Sequence, residues 1–310
     1  MRTPLALLAL LAATSPLAAQ GTAPFTVRES GQGFANLQDA VNAIGDKKGT
    51  ILIAPGRYKQ CAVQQAGDIA YIAQQPGSAT FERIACEGKA SLVLRGRNAR
   101  VEGLIFDDIK VPDANGAGIR LEKGNLSVAE SMFRDSEGGI LSANDPTGTI
   151  RVERSTFSGL GRCDRDLACA HSIYIGDYGN LIVDKVRFER GRGGHYVKTR
   201  AARIQVTDSS FDDTAGQTTN YMIDLSAGAT GRITNNVFVQ GKNKENHSAM
   251  IVIAAEGRTN SSDGLVIEGN DASLAPGMDY PTSFVADLGG DDLRIGANRL
   301  GRKVTRFERR

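Results

Sequence analysis

Apolar positions along the chain repeat as one short cassette of eight residues that closes on a large apolar side chain. In the clearest copies, apolar residues stand seven and five positions before the closing one: LSVAESMF, IRVERSTF, LIVDKVRF and IQVTDSSF, ending at Phe133, Phe157, Phe188 and Phe211. LRIGANRL, ending at Leu300, keeps both positions, GRITNNVF, ending at Phe238, keeps one, and ARVEGLIF, ending at Phe106, fits more loosely. Regular self-similarity at this spacing is typical of repeat proteins.

Each repeat also carries a second short apolar strand, such as GIRL, GGIL, HSIYI, HYVKT, YMIDL and AMIVI. Two or three strands in a unit of roughly 25 residues predict a parallel β-solenoid. One unit cannot bury its apolar face alone, so successive units stack at about 4.8 Å. A β-sandwich is the alternative, but the repetition of a single cassette argues against Greek-key connections.

The segment FANLQDAVNAIGDKKGTILIAPGRY predicts an amphipathic helix followed by a strand and a turn. Leu37, Ala40, Val41 and Ile44 share one face of this helix. We expect the helix to cover the open edge of the first coil, which would otherwise be free to pair with another chain.

The chain begins with MRTPLALLALLAATSPLAAQ, which has the form of a secretory signal peptide, predicted at residues 1–19. Residues 20–310 then form the solenoid domain of a secreted or periplasmic protein, expected to be a monomer. The formal net charge of +2 gives no electrostatic argument for nucleic acid, and no apolar run is long enough for a membrane span. Four cysteines in an exported chain indicate disulfides. Cys61–Cys86 and Cys163–Cys169 are the favoured pairs, with the other two connectivities left open.

The segment FANLQDAVNAI…GTILIAPGRY resembles the amino-terminal cap of secreted right-handed parallel β-helix proteins of the pectin-lyase-like superfamily. HSIYIG, GGHYVKTRA, NYMIDL and FVQGKN…MIVIAAEG resemble segments of bacterial β-helix proteins often left without an assigned activity. The resemblance implies an all-β fold, a single-stranded right-handed parallel β-helix (solenoid) with an N-terminal capping helix. It is weak for chemistry, because the superfamily includes lyases, hydrolases, epimerases and non-catalytic binders.

Alternation along the second strands separates inward from outward side chains. The inward set is Ile173, Ile175, Val197, Thr199, Ile223, Leu225, Ile251 and Ile253. Two outward columns result, one of Arg120, Leu141, Tyr174, Lys198, Asp224 and Val252, and one of Glu122, Ala143, Gly176, Arg200, Ser226 and Ala254. Stacking therefore makes neighbours of Tyr174, Lys198 and Asp224, with Arg200 beside them.

Two long connections suggest a groove around these residues. GLGRCDRDLACA precedes HSIYI and KNKENHS precedes AMIVI, and we expect them to wall opposite sides of an open surface. His171, His195 and Tyr221 form another column at the strand starts. They either stack inward at a turn or face outward and join the groove, with His195 close to Lys198.

An acidic polysaccharide is the predicted partner, cleaved by β-elimination. Arg200 would hold the uronate carboxylate, Lys198 would act as base with a lowered pKa, and Tyr174 as acid, or the last two roles would be exchanged. His195, His171, Asp224, Tyr221 and Arg120 are predicted substrate contacts, with no metal or cofactor.

Three alternatives remain open at the level of sequence. The first is a non-catalytic glycan binder of the cell exterior or envelope. A glycoside hydrolase is the second, suggested by the carboxylate pair Asp212-Asp213. In the third, Lys198 and Asp224 form an ordinary surface ion pair, which contributes about 0.2–1 kcal/mol.

Overall fold

The computed structural model describes residues 23–164 and 166–310, and the predicted signal peptide lies outside them. The chain winds into a right-handed parallel β-helix with three long sheets, and each coil contributes one strand to each sheet in turn. The predicted fold class is therefore confirmed.

The first sheet has twelve strands, in chain order Phe25–Val27, Gln32–Phe34, Lys48–Ile53, Asp68–Ala73, Asn98–Glu102, Asn125–Ala129, Asp145–Glu153, Tyr178–Asp184, Arg203–Thr207, Thr230–Thr234, Val266–Glu268 and Arg294–Ile295. The second has ten, Gly56–Tyr58, Ala79–Glu82, Leu104–Asp107, Met132–Arg134, Thr156–Ser158, Arg187–Glu189, Ser210–Asp212, Val237–Gln240, Asp271–Leu274 and Arg299–Leu300. The third also has ten, Ala62–Gln64, Ala90–Leu94, Ala117–Leu121, Gly138–Ser142, Ile173–Ile175, Val197–Thr199, Ile223–Leu225, Ala249–Ile253, Thr282–Asp287 and Val304–Arg309. Gln217–Thr219 and Asn243–Lys244 form a small parallel pair outside them.

A stack of phenylalanine rings fills the interior along the second sheet. Its members are the closing residues of the sequence cassettes from Phe106 to Phe238, and Phe81 extends the stack by one coil. All are fully buried, and consecutive ring centroids lie between 4.7 Å, for Phe133 and Phe157, and 6.0 Å, for Phe81 and Phe106. The repeat therefore exists because each coil must place one ring on the ring of the coil before it.

A short turn joins the first sheet to the second, and in most coils one residue of it adopts a positive φ, such as Asn235 at 58°. In several of these turns the next position carries a serine or asparagine side chain that bonds to the neighbouring coil. Asn236 Nδ2 donates to Asn270 Oδ1 at 3.0 Å, and Asn270 Nδ2 donates to Asn298 Oδ1 at 2.9 Å. These side chains satisfy buried turn amides that no strand can pair.

The helix Leu37–Ile44 closes the amino-terminal end, with the four predicted apolar residues buried. Gln38 caps the edge strand of the third sheet directly. Val63 N–H donates to Gln38 Oε1 at 2.7 Å, and Gln38 Nε2 donates to the Val63 carbonyl at 3.0 Å. The predicted capping role is thus met by a side chain that pairs with the free backbone edge.

Both predicted disulfides are present, Cys61–Cys86 and Cys163–Cys169. Among the described residues, no helix has the length and apolar character needed to cross a bilayer. The disulfides fit a protein that folds in an oxidising compartment.

Candidate functional site

Stacking in the third sheet brings the predicted outward column together. Tyr174 pairs in register with Lys198, and Lys198 pairs with Asp224. The side chains predicted to point inward, including Val197 and Thr199, are fully buried. Residues about 25 positions apart in the sequence therefore become direct neighbours on the outer face, as the alternation predicted.

Tyr174, Lys198 and Arg200 form one cluster. Arg200 Nη1 lies 2.6 Å from the phenolic oxygen of Tyr174, and its guanidinium carbon lies 5.3 Å from the ring centroid. Lys198 Nζ lies 5.9 Å from the same centroid. One aromatic ring thus contacts both cations, an arrangement favoured by the negative face of the ring.

Asp224 provides a buried carboxylate beneath Lys198. Its Oδ2 lies 3.2 Å from Lys198 Nζ and 3.5 Å from His195 Nε2, while its Oδ1 is buried without a hydrogen-bond partner. Burial raises the pKa of Asp224, and Lys198 offsets only part of this effect. The side chain is 3% exposed, so Asp224 cannot leave Lys198 for solvent.

The pKa of Lys198 differs from the sequence prediction. Burial alone would lower it, but Asp224 and Glu256 outweigh burial and raise the pKa of Lys198 above its ordinary value. The prediction of a lowered pKa was wrong because it weighed the lowering effect of Arg200 against the raising effect of Asp224 alone. It did not include the second carboxylate, Glu256. Lys198 is a cation held between two carboxylates.

Glu256 is the residue that sequence reasoning missed. Lys198 Nζ donates to its Oε1 at 2.5 Å, and Arg200 Nη2 donates to its Oε2. Burial would raise the pKa of Glu256, but these two cations prevail and lower it. Glu256 lies beyond the end of the strand Ala249–Ile253, and Ala254 adopts a positive φ of 57°, so the strand alternation does not extend to Glu256.

The histidine column faces outward. The His171 and His195 ring centroids are 4.9 Å apart, the His195 and Tyr221 centroids 5.6 Å, and His171 meets Tyr174 edge to face at 5.1 Å. The reason is a break in alternation at the corner before the strand, where Tyr196 and Val197 are both buried in the core. The outward alternative therefore holds.

Both histidines are buried and uncharged near neutral pH. Burial, reinforced by Lys198, lowers the pKa of His195 to about 3. Burial also lowers the pKa of His171 well below its usual range. His171 Nδ1 accepts the His195 backbone N–H at 3.0 Å, so it carries no proton on that nitrogen.

Arg120 stands apart from the cluster. It lies on the same outward column, three strand steps from Lys198, or about 14 Å. Its Nη2 donates to Glu122 at 3.3 Å. Leu141 occupies the next position along the column and Tyr174 the one after it, so Arg120 and the cluster share one face without contact.

The two long connections do not wall opposite sides. Both precede third-sheet strands, so both lie at the edge where those strands begin, and Cys163 Sγ comes within 3.9 Å of Glu245 Oε2. The opposite side is formed by the segment after Ala249–Ile253, which carries Glu256 and Asn260. Asn260 Nδ2 donates to the Arg200 carbonyl at 3.3 Å. Within the cluster, Tyr174 and Arg200 are half-buried and Glu256 is exposed.

Asp213, the residue that suggested glycoside hydrolysis, is inside the protein. It accepts hydrogen bonds from Tyr196 Oη at 2.7 Å and Lys244 Nζ at 3.1 Å, and both carboxylate and ammonium are almost fully buried. Lys244 Nζ also donates to the Asn220 carbonyl at 2.5 Å. This network joins two connections next to the site, so the carboxylate pair gives no support for hydrolysis.

Three surface cavities lie away from the cluster. Two, of about 650 and 670 Å³, line the outer face of the first sheet around Arg100 and Arg232. A third, of about 440 Å³, lies around Arg162 and Arg192.

The family model described as "Right handed beta helix region" matches residues 90–273, more than half of the 310 residues. The chain belongs to the right-handed β-helix family. All of the candidate site, from Arg120 to Glu256, lies within the matched part. No curated protein matches this β-helix chain.

Several solved structures are similar to this chain at low sequence identity. The pectin methylesterase from Aspergillus niger is 12% identical, with a TM-score of 0.47 over 84% of this chain and 88% of that one. The pectate lyase Pel9A is 12% identical, with a TM-score of 0.46 over 91% and 78%. The A-module of a mannuronan C-5 epimerase from Azotobacter vinelandii is 11% identical, with a TM-score of 0.39 over 88% and 92%. The likeness concerns the fold and not the chemistry of this chain.

Proposed function

We propose that the protein binds an acidic, uronate-containing polysaccharide on the outer face of the third sheet and cleaves it by β-elimination. The supporting observation is that Lys198, in the strand Val197–Thr199, and Arg200, directly after it, together hold the carboxylate of Glu256 beside the phenol of Tyr174. A surface that holds a side-chain carboxylate in this way has the donors and the charge for a uronate carboxylate.

Carboxylate neutralisation is the first requirement of the reaction. It makes the proton on the adjacent carbon more acidic and stabilises the negative charge that develops when this proton leaves. Arg200 supplies a planar guanidinium that is 30% exposed, and Lys198 supplies a second charge from below. Both remain protonated at neutral pH.

Proton transfer falls to Tyr174 and Lys198, in the exchanged order of the two predicted roles. Once the phenol of Tyr174 has lost its proton to solvent, its oxygen takes the proton from carbon. A carbon–carbon double bond forms as the bond to the leaving oxygen breaks, and the Lys198 ammonium protonates that oxygen. Return of the proton from Tyr174 to Lys198 restores both groups. Lys198 and Tyr174 are positioned from the buried side by Asp224, His195 and His171. The polysaccharide is proposed to contact Tyr221 on one side of the cluster and Arg120 on the other.

A panel of acidic polymers tests this function. The protein is incubated with alginate, pectate and glucuronan, and three signals are followed: ultraviolet absorbance of an unsaturated chain end, new reducing ends, and retention on the polymer. A lyase gives absorbance together with reducing ends. Reducing ends without absorbance would indicate hydrolysis and contradict the proposal.

A non-catalytic glycan binder is the second candidate function. It is favoured by the internal pairing of the cluster, in which both cations already have carboxylate partners. Retention on an acidic polymer without any new absorbance or reducing ends would select this candidate.

We propose that the protein acts outside the cytoplasm, secreted or periplasmic, and as a monomer. Two disulfides support this location, since such bonds persist in oxidising compartments. Fractionation of producing cells, with the amino terminus of the mature protein sequenced, tests both the location and cleavage near residue 19.

A further inference from the structure

Glu256 binds the two cations in the way that an external carboxylate would. One carboxylate oxygen accepts from Lys198 Nζ at 2.5 Å and the other from Arg200 Nη2. Within the described residues, these are the only hydrogen bonds of the Glu256 side chain that the structure contains. Its carboxylate therefore occupies the position between the guanidinium and the ammonium that the proposed function requires for a uronate.

The charges permit only one carboxylate at this position. Lys198 and Arg200 carry two positive charges and buried Asp224 one negative charge, which leaves a net charge of +1. Glu256 brings the sum to zero. A uronate added beside Glu256 would bring a second carboxylate against the first in the same pair of donors, which like charges oppose.

Glu256 can leave, whereas Asp224 cannot. The Glu256 side chain is 42% exposed, against 3% for Asp224. The backbone of Glu256 is held separately, because its N–H donates to the Ser226 carbonyl at 2.9 Å. Rotation of side-chain torsions alone moves the carboxylate into water, with the backbone in place.

Resting on the proposed function, we propose that Glu256 is an internal competitor: it occupies the carboxylate subsite formed by Lys198 and Arg200 and is displaced by the carboxylate of an acidic glycan. Glu256 then sets both affinity and selectivity. Only a ligand that brings a carboxylate of its own replaces the one it removes. A neutral glycan that displaced Glu256 would leave Arg200 without a carboxylate partner and the cluster with a net charge of +1.

Titration of oligomers of pectate, alginate and glucuronan into the wild type and Glu256→Gln tests this inference. Glutamine keeps the size of the side chain and removes the competing charge. We expect Glu256→Gln to bind the preferred oligomer at least tenfold more tightly. Arg200→Gln combined with Glu256→Gln should lose the gain. Glu153→Gln is the matched control, because Glu153 is paired with Arg151 at 2.6 Å on the first sheet and its loss changes the net charge equally.

The outcomes separate the two proposals. The inference is supported if Glu256→Gln binds more tightly than the wild type and the other variants do not. This holds even if wild-type binding is too weak to measure. Wild-type binding that Glu256→Gln leaves unchanged or weakens overturns the competitor role and leaves the proposed function standing. An equal gain in Glu153→Gln likewise overturns it, as an effect of net charge. Absence of binding by every variant to every polymer overturns both.

Discussion

Lys198 is a lysine that the fold keeps charged in a nearly closed position. Its side chain is 11% exposed, and it lies between Asp224 below and Glu256 above. A buried ion pair adds little net stability, but removal of one partner leaves the other charge buried and unpaired. At the scale of the residue, a substitution at Lys198 should therefore change both stability and function. A substitution at Arg200 should change function with little effect on stability.

Lys198→Met should lower the free energy of unfolding by about 3–5 kcal/mol, because Asp224 is left buried without its cation. Adding Asp224→Leu should recover a large part of this loss, since an apolar pair replaces the ionic one. Chemical denaturation of the single and double variants measures both values. A single variant as stable as the wild type would show that Asp224 does not depend on Lys198.

Arg200→Gln should remove activity with little effect on stability. Arg200 lies at the exposed edge of the cluster, and loss of one donor to a developing negative charge lowers turnover by roughly 10²–10³-fold. Thermal unfolding should move by no more than about 2 °C, which is within the range of a surface substitution. Arg203→Gln, at an exposed arginine of the first sheet, is the control and should leave turnover unchanged. Equal turnover in both variants would exclude Arg200 from the chemistry.

At the scale of the element, backbone contacts at the starts of the third-sheet strands hold the histidine column in place. Gly194 N–H donates to Cys163 Sγ at 3.2 Å, and Gly194 immediately precedes His195. The Cys163–Cys169 disulfide thus lies against the backbone that orients the histidine column. The Cys61–Cys86 disulfide lies instead near the amino-terminal end, several coils away.

Replacement of each disulfide by serines should therefore separate binding from stability: one replacement should mainly weaken glycan binding, and the other should mainly lower stability. Loss of Cys163–Cys169 should weaken glycan binding several-fold and cost about 2 kcal/mol, because the loop it closes is short. Cys61–Cys86 closes a longer loop, so its loss should lower the free energy of unfolding by about 3.5 kcal/mol and leave binding unchanged. Titration and denaturation of both variants give the comparison. Unaltered affinity without Cys163–Cys169 would contradict a role for that connection in the site.

Sequence reasoning succeeded where one rule acts in every coil. The phenylalanine stack and the pairing of Tyr174 with Lys198 follow from stacking of equal units. The capping helix follows from its amphipathic pattern. It could not decide the direction of the histidines, because two consecutive residues, Tyr196 and Val197, enter the core at the corner. Glu256 was missed because it stands in a connection of its own length, where no repeat provides an alignment.

At the scale of the whole molecule, buried histidines link folding to pH. His195 has a folded pKa of about 3 against an unfolded value of about 6.5, so the unfolded chain binds the extra proton between these values. His171 acts in the same direction. Stability from both is present above about pH 6.5 and is lost as the pH falls below it.

Acidification from pH 7 towards pH 4 should therefore lower the free energy of unfolding by up to about 1.4 kcal/mol per pH unit for each histidine. In His195→Gln this slope should be smaller, because one titrating group is gone. Urea denaturation at a series of pH values measures the slopes. An identical slope in the wild type and His195→Gln would show that His195 does not titrate on unfolding.

The central claim is that the outer face of the third sheet recognises a carboxylate through Lys198 and Arg200. Binding of pectate compared with the same polymer carrying methyl-esterified carboxyl groups measures this most directly, whether or not the chain is cleaved. The account predicts binding of the acid form and at least tenfold weaker binding of the ester. Equal or tighter binding of the ester would contradict it.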